Sequence, residues 1–238
     1  MSAHPSAGSL SVTTQINTYN EGSLHAILKA RYAGEDGLTE TPVDGYIIDV
    51  ARGDLLIEIQ TTSFSSAKRK LTSLVATHPV LLVHPIPAKT WIVKRPDDPA
   101  AKPSRRLSPK RGSIVTLFDQ LVSFPTLIAE PNFAIEVLLT HEDQLRHREP
   151  GRAWRRKGWV IDDRVLLDVI EVRRFERSGD LLELLPDQLP AEFTTADLAG
   201  LLCVPRRLAQ RMAYCLRELD LIEATSRRQR SVLYRRAQ

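Results

Sequence analysis

Val43-Asp44-Gly45-Tyr46-Ile47-Ile48-Asp49-Val50-Ala51-Arg52-Gly53-Asp54-Leu55-Leu56-Ile57-Glu58-Ile59-Gln60 carries the strongest structural signal in the chain. Two β-rich runs, 45–51 and 54–61, flank Arg52-Gly53, a tight glycine-containing connection that predicts a β-hairpin. Glu58 stands inside an apolar run, where an unpaired charge is costly, so it calls for a metal or a basic partner. Lys68 and Lys70 are the nearest basic candidates. Register decides which second carboxylate joins it. With the turn centred on Gly53, Asp44, Glu58 and Gln60 share one face of the hairpin. With a loop of Arg52 and Gly53 alone, parity flips and Asp49 meets Glu58 instead. Asp44 is the expected partner and Asp49 its parity-dependent substitute. Two carboxylates converging from adjacent strands suit Mg²⁺ or Mn²⁺, hard cations that take oxygen ligands.

Outward from the hairpin, helical spacing of Leu24, Ile27, Leu28 and Tyr32 predicts a helix over 19–33, ended by Gly34. A second helix is expected from Ser65 or Ser66, with Lys68, Arg69 and Lys70 opposite an apolar side of Leu71, Leu74 and Val75. The continuous apolar run from Val80 to Ile86 suits a central strand covered on both faces, and Thr90–Lys94 reads as another strand. Residues 96–112 hold four prolines and most of a basic cluster, which predicts a loop. Beyond it, 114–122 reads as a short helix, 134–139 as a strand, and 146–159 as a basic stretch with Trp154 and Trp159 interleaved.

The net charge of +4 is unevenly spread: 89–112 and 203–238 each carry +6, leaving −8 for the remainder. Two basic patches on an otherwise acidic protein point to a polyanionic partner. Arg105, Arg106, Lys110 and Arg111 are the candidates in the first patch. The two cysteines, Cys203 and Cys215, have no zinc-type spacing and read as free thiols. No apolar run approaches the roughly 20 residues a membrane span needs. The N-terminal residues lack the basic flank and apolar core of a signal peptide, so a cytoplasmic protein with no membrane partner is expected. No serine stands in a nucleophile elbow and no histidine has ligand spacing with another, which leaves triad-type hydrolase chemistry without support.

Val43-Asp44, the short hairpin and Leu56-Ile57-Glu58-Ile59-Gln60 resemble the core of the PD-(D/E)XK nuclease superfamily over about residues 15–95. The resemblance implies an α/β fold, a restriction-endonuclease-like mixed central sheet flanked by helices, occupying 15–184 with a basic insertion around 96–112. It implies Mg-dependent phosphodiester hydrolysis of nucleic acid, in particular double-stranded DNA, and carries the expectation of a homodimer. Asp44 and Glu58 are the implied metal ligands, and Glu21, on the preceding helix, the implied third carboxylate. Gln60 departs from the pattern, which has a lysine there. Gln can position water through its amide but supplies no charge. Lys70, or Lys68, is the candidate to bring the missing charge from the next helix. Without it, the chain would be an inactive nuclease-like DNA-binding regulator or adaptor; a protein-interaction module that docks an acidic partner is a third reading.

Residues 1–14 read as a flexible N-terminus, and Leu185-Pro186-Asp187-Gln188-Leu189-Pro190 as a boundary. After it, residues 188–238 resemble a winged helix-turn-helix domain: a helix capped by Thr194 or Thr195, a turn at Cys203-Val204-Pro205, a longer helix to about Asp220, and a basic hairpin. The resemblance sets Arg206, Arg207, Gln210, Arg211 and Arg217 toward a major groove, and Arg227, Arg228, Arg230 and Arg235 against phosphates.

Overall fold

The hairpin turns on Gly53 and Asp54, half a residue later than a turn centred on Gly53, in the computed structural model, which describes residues 22–97 and 100–237. Gly53 takes φ +55° there, a left-handed value that glycine adopts without a Cβ clash. The expected N-terminal flexible segment and Glu21 lie outside the described residues.

A mixed α/β architecture is built around a seven-stranded sheet. In chain order, α1 (Ser23–Ala33) precedes β1 (Leu38–Val43), β2 (Tyr46–Arg52) and β3 (Leu55–Ile59), which form an antiparallel meander. The chain then crosses through α2 (Lys68–Leu74) to β4 (Val80–Lys94), which lies parallel to β3. Strand β5 (Ser104–Leu107) pairs with the far end of β4, and α3 (Phe118–Leu121) leads to β6 (Phe133–Arg148), parallel to β4. Strand β7 (Trp159–Phe175) closes the sheet antiparallel to β6. Last come α4 (Thr195–Leu201), α5 (Arg206–Glu218) and the hairpin of β8 (Ile222–Arg228) and β9 (Ser231–Arg236).

Helix α1 buries Leu24 and Leu28 against Val50, Ile57, Leu81, Val83 and Leu138 on one sheet face. Each such fully buried side chain contributes roughly 1.5–3 kcal/mol relative to exposure. Its N-terminus is anchored across the sheet: the Ser23 N–H donates to Asp163 Oδ1 at 2.9 Å, which sets a carboxylate at the positive end of the helix. The opposite face packs on α2 through Leu71 and Leu74, and on α3 through Phe118 and Leu121. That core continues without a break into Met212, Cys215 and Leu216 of α5. The 185–190 segment therefore separates stretches of chain whose apolar cores are joined.

Two sequence readings give way here. The runs 80–86 and 90–94 form one strand, β4, in spite of Pro85 and Pro87. The physical reason is the vacancy beside them. The carbonyl of Val83 accepts from Gln60 N–H, so odd-numbered residues of β4 direct their main-chain groups toward β3. Strand β3 ends at Ile59, so the absent N–H groups of Pro85 and Pro87 face an edge with no ladder to break. Gly112 fills that edge, donating to the Pro87 carbonyl at 3.0 Å. A Cβ on Gly112 would come within 2.7 Å of that oxygen, so a side chain there has no room. The second correction is β5, inside the stretch read as a loop: Ser104-Arg105-Arg106-Leu107 gains its order from pairing with residues 91–94.

Candidate active site

The β2–β3 ladder pairs Arg52↔Leu55 through Val50↔Ile57, and the next step of that register sets Asp49 across from Glu58. At this point a side chain replaces the ladder. The Ile59 N–H donates to Asp49 Oδ2 at 2.7 Å, where a strand carbonyl would ordinarily accept. The same oxygen lies 3.2 Å from His25 Nε2 on α1. Asp49 therefore sits in a fork between the two strands, fixed from the main chain on one side and from the helix on the other.

Glu58 is 3% exposed. Its Oε1 accepts from the Gln60 amide Nε2 at 2.9 Å. Its Oε2 lies 2.5 Å from Lys70 Nζ in an ion pair, yet accepts no hydrogen bond of ordinary geometry. Lys70 reaches it from α2 and also donates to the Ile47 carbonyl at 2.9 Å. Gln60 is oriented at its other end by Ser66, whose Oγ is 3.4 Å from the amide oxygen.

The two carboxylates are driven apart in acidity. Burial raises the Glu58 pKa, and the negative charge of Asp49 raises it further; Lys70 and Gln60 only partly offset this. Burial acts in the same direction on Asp49, but the hydrogen bonds from His25 and Ile59 and the charges of His25 and Lys70 outweigh it, leaving that group below the usual carboxylate range. A pair of carboxyls separated in this way is able to hold one charge firmly and exchange a proton at the other.

Asp44 is elsewhere. It occupies the turn between β1 and β2 with φ +47°, is exposed, and lies 2.9 Å from His78 Nε2. Its place in the turn before β2 takes it off the strand, and the half-residue shift of the β2–β3 hairpin centre gives the Glu58 face to Asp49 instead. Of the expected set, Glu58, Gln60 and Lys70 come together, Asp49 takes the place of Asp44, and Lys68 is exposed on the outer side of α2. Glu21 falls outside the described residues.

Supporting residues were hidden from sequence inspection. His84, on β4, donates from Nδ1 to the Gln60 carbonyl at 2.5 Å; burial pushes its pKa down to about 4, so the ring is neutral. Arg164, on β7, joins Glu142 at 2.8 Å and donates to the Thr61 carbonyl at 2.8 Å, tying the end of β3 to β6 and β7. These contacts span about 24 to 103 residues, the separations of His84 from Gln60 and Arg164 from Thr61, and no local pattern announces them.

The basic candidates divide into engaged and open groups. Arg105 pairs with Asp143 and lies over Trp91, and Arg111 donates to main-chain carbonyls, whereas Arg106 and Lys110 are exposed. Arg206, Arg207 and Gln210 are exposed on α5, as are Arg227, Arg228 and Arg230 at the hairpin end. Arg211 is turned the other way: its guanidinium lies 2.5 Å from Asp119 on α3, so it braces α5 against the sheet domain instead of facing a groove. Arg217 and Arg235 pair with Glu218 and Glu223.

Among the described residues, no group of three or more His, Cys, Asp and Glu side chains is placed to hold a metal ion, and no helix is long and apolar enough to cross a membrane. No solved structure matches the chain. An uncharacterized protein of Treponema pallidum (strain Nichols) is 29% identical over 227 residues, covering 93% of this chain and 87% of that protein. Residues 22–176, which hold the whole fork and all seven strands of the large sheet, match the family described as "Domain of unknown function (DUF8091)", and the chain belongs to that family.

Proposed function

We propose that the chain is a metal-dependent nuclease that hydrolyses phosphodiester bonds of nucleic acid, DNA above all. The observation that carries this reading is the convergence of Asp49, Glu58, Gln60 and Lys70 at the β2–β3 fork. The mixed central sheet flanked by helices, with Glu58 on β3 and β3 parallel to β4, supports it, because the resemblance implies such a sheet. The C-terminal part supports a winged-helix reading. Phe193 pairs with Tyr234 to add a bridge to the β8–β9 hairpin, and Arg207, Gln210, Tyr214 and Arg217 form one exposed stripe along α5.

The donor set fits Mg²⁺ or Mn²⁺. Such ions are bound by one or two carboxylates, with waters and substrate phosphate completing the shell. Asp49 stays ionised, and Glu58 is a buried carboxylate whose Oε2 is ion-paired with Lys70 Nζ at 2.5 Å. Asp49 and Glu58 would hold the ion. The chemistry gained with it in place is polarisation of the phosphodiester and neutralisation of developing charge. The protein's own groups do the rest. His25 and the Ile59 N–H keep Asp49 ionised and aimed into the fork. Lys70 brings the positive charge that Gln60 lacks, and the Gln60 amide orients water beside Glu58.

Full-length protein incubated with Mg²⁺ or Mn²⁺ on duplex DNA, single-stranded DNA and RNA provides the test. Wild type is expected to cleave, and Glu58→Ala to be inert; identical traces from the two would end the nuclease reading. One observation favours a second reading, a nucleic-acid-binding adaptor without catalysis: Lys70 Nζ already neutralises Glu58 Oε2 at 2.5 Å. Tight binding with no cleavage under either metal would select it.

A further inference from the structure

The outer halves of β4, β6 and β7 run past the apolar core. Beyond Glu142, every described residue of β6 is at least partly exposed. With β5 added, these strands form an arm whose two faces differ. Register places Arg106 beside Ile92, Lys94 beside Arg146, and Trp159 beside Arg148. Alternation along β6 then puts Arg106, Lys94, Arg146 and Arg148 on one face, the side on which Leu138 meets α1. The other face carries the neutralised pair Arg105–Asp143.

Counter-charge is scarce on the first face. Among the described residues, Arg106, Arg146 and Arg156 form no ion pair, while Arg148 reaches Asp97 only at 4.0 Å. Arg146 donates instead to the neutral amide oxygen of Gln144. Register sets Arg106 across β4 from Gln144, the neighbour of Arg146 on this face, and Arg156 stands in the turn that follows β6. Burial lowers the Arg146 pKa, and the charges of Arg156 and Arg106 lower it further. Like charges gathered without a partner destabilise the free protein and favour an incoming polyanion.

At the tip, between β6 and β7, Trp154 is 80% exposed. Arg155 lies 5.1 Å from the ring centroid over one face, which leaves the other open. A bare indole set among arginines suits an unstacked base, which a duplex does not present. From this face a chain of contacts reaches the end of β3: Glu142 holds Arg164, and Arg164 holds the Thr61 carbonyl. Glu58 and Lys70 lie on the opposite, α2 side of the sheet.

We propose that this face of the arm binds single-stranded nucleic acid, with phosphates on Arg106, Arg146 and Arg156 and a base stacked on Trp154. The choice of nucleic acid among polyanions rests on the nuclease reading above.

The experiment is fluorescence anisotropy of the full chain in EDTA, which removes cleavage from the measurement, on labelled oligo(dT), oligo(rU) and a DNA duplex. Trp154→Ala is expected to weaken binding of one or both single strands by about 5- to 100-fold and to leave the duplex unchanged. Trp154→Phe, which keeps a stacking ring, is expected to restore most of it. Arg106→Ala with Arg156→Ala, both at exposed positions, should lower the salt slope on single strands by about 0.7 per arginine. The oligo(dT) and oligo(rU) arms separate DNA from RNA. The proposal is overturned if these variants bind single strands like wild type, or if the chain prefers phosphatidylserine vesicles to either oligonucleotide. Arm-dependent binding without cleavage would sink the nuclease reading and leave the arm standing; cleavage without arm-dependent binding would do the reverse.

Discussion

The fork between β2 and β3 and the arm beyond the core both concentrate charge, and they treat it in opposite ways. In the fork, opposite charges are buried together: Glu58 against Lys70, Asp49 against His25 and a main-chain N–H. On the arm, like charges stand near one another with a neutral amide between them and water around them. Burial converts charge into altered acidity and fixed geometry, which are the requirements of chemistry. Exposure converts it into screened attraction over distances of about 10 Å, which is the requirement of capture.

The largest effects should break the fork. Asp49→Asn is expected to reduce cleavage about a thousandfold, several kcal/mol of transition-state stabilisation, read from initial rates with Mg²⁺. Asp44→Asn in the same assay should leave the rate unchanged, and the reverse result would restore the other hairpin register as the functional one. Next in size is the ion pair. Lys70→Met strands a buried carboxylate and should cost about 3 kcal/mol in urea unfolding, whereas Lys70→Met combined with Glu58→Gln should recover most of that loss. Failure of the double variant to recover would mean that Lys70 acts through packing and not through charge.

The fork is also sensitive to pH through His84. Its folded pKa of about 4 lies below the ordinary 6.5, so the unfolded chain binds the proton first. The associated stability is present above pH 6.5 and is lost as pH falls toward about 4, up to about 3 kcal/mol in all. His84→Phe should flatten that slope in urea midpoints taken across this range, and an undiminished slope would assign it to other groups. Smaller still are the exposed arginines. Arg207→Ala should lower the salt slope on duplex DNA by about 0.9, while Arg211→Ala, whose side chain is committed to Asp119, should leave the slope alone and cost about 0.2–1 kcal/mol of stability. Equal salt slopes for the two would contradict the division between facing and bracing arginines. Asp44→Asn should change stability by less than about 0.5 kcal/mol, as an exposed turn residue does.

Much of the meander and of the C-terminal helices was legible because their signals are local. Periodicity marked α1, the apolar run marked β4, and Thr194 with Asp197 forms the capping box that starts α4. The site was legible in part. A carboxylate within Leu55–Ile59 is conspicuous wherever the chain folds, because burying it is costly, and its basic partner Lys70 lies only twelve residues on. Other features had no local signal. The ordering of Ser104–Leu107 into β5 depends on the outer half of β4, and the union of the 80–86 and 90–94 runs depends on where β3 stops.

Composition and local pattern by themselves determined that a hairpin with a buried glutamate is followed by a basic helix, and that two clusters carry most of the positive charge. Tertiary structure alone decided that Asp49 and not Asp44 faces Glu58, that Arg211 turns inward, and that Arg106 and Arg146 share one face of the arm. The physical reason is the same in each case. Residue type sets what burial of a side chain costs, but which side chains share a face depends on strand register, and a single-residue shift in register exchanges the faces.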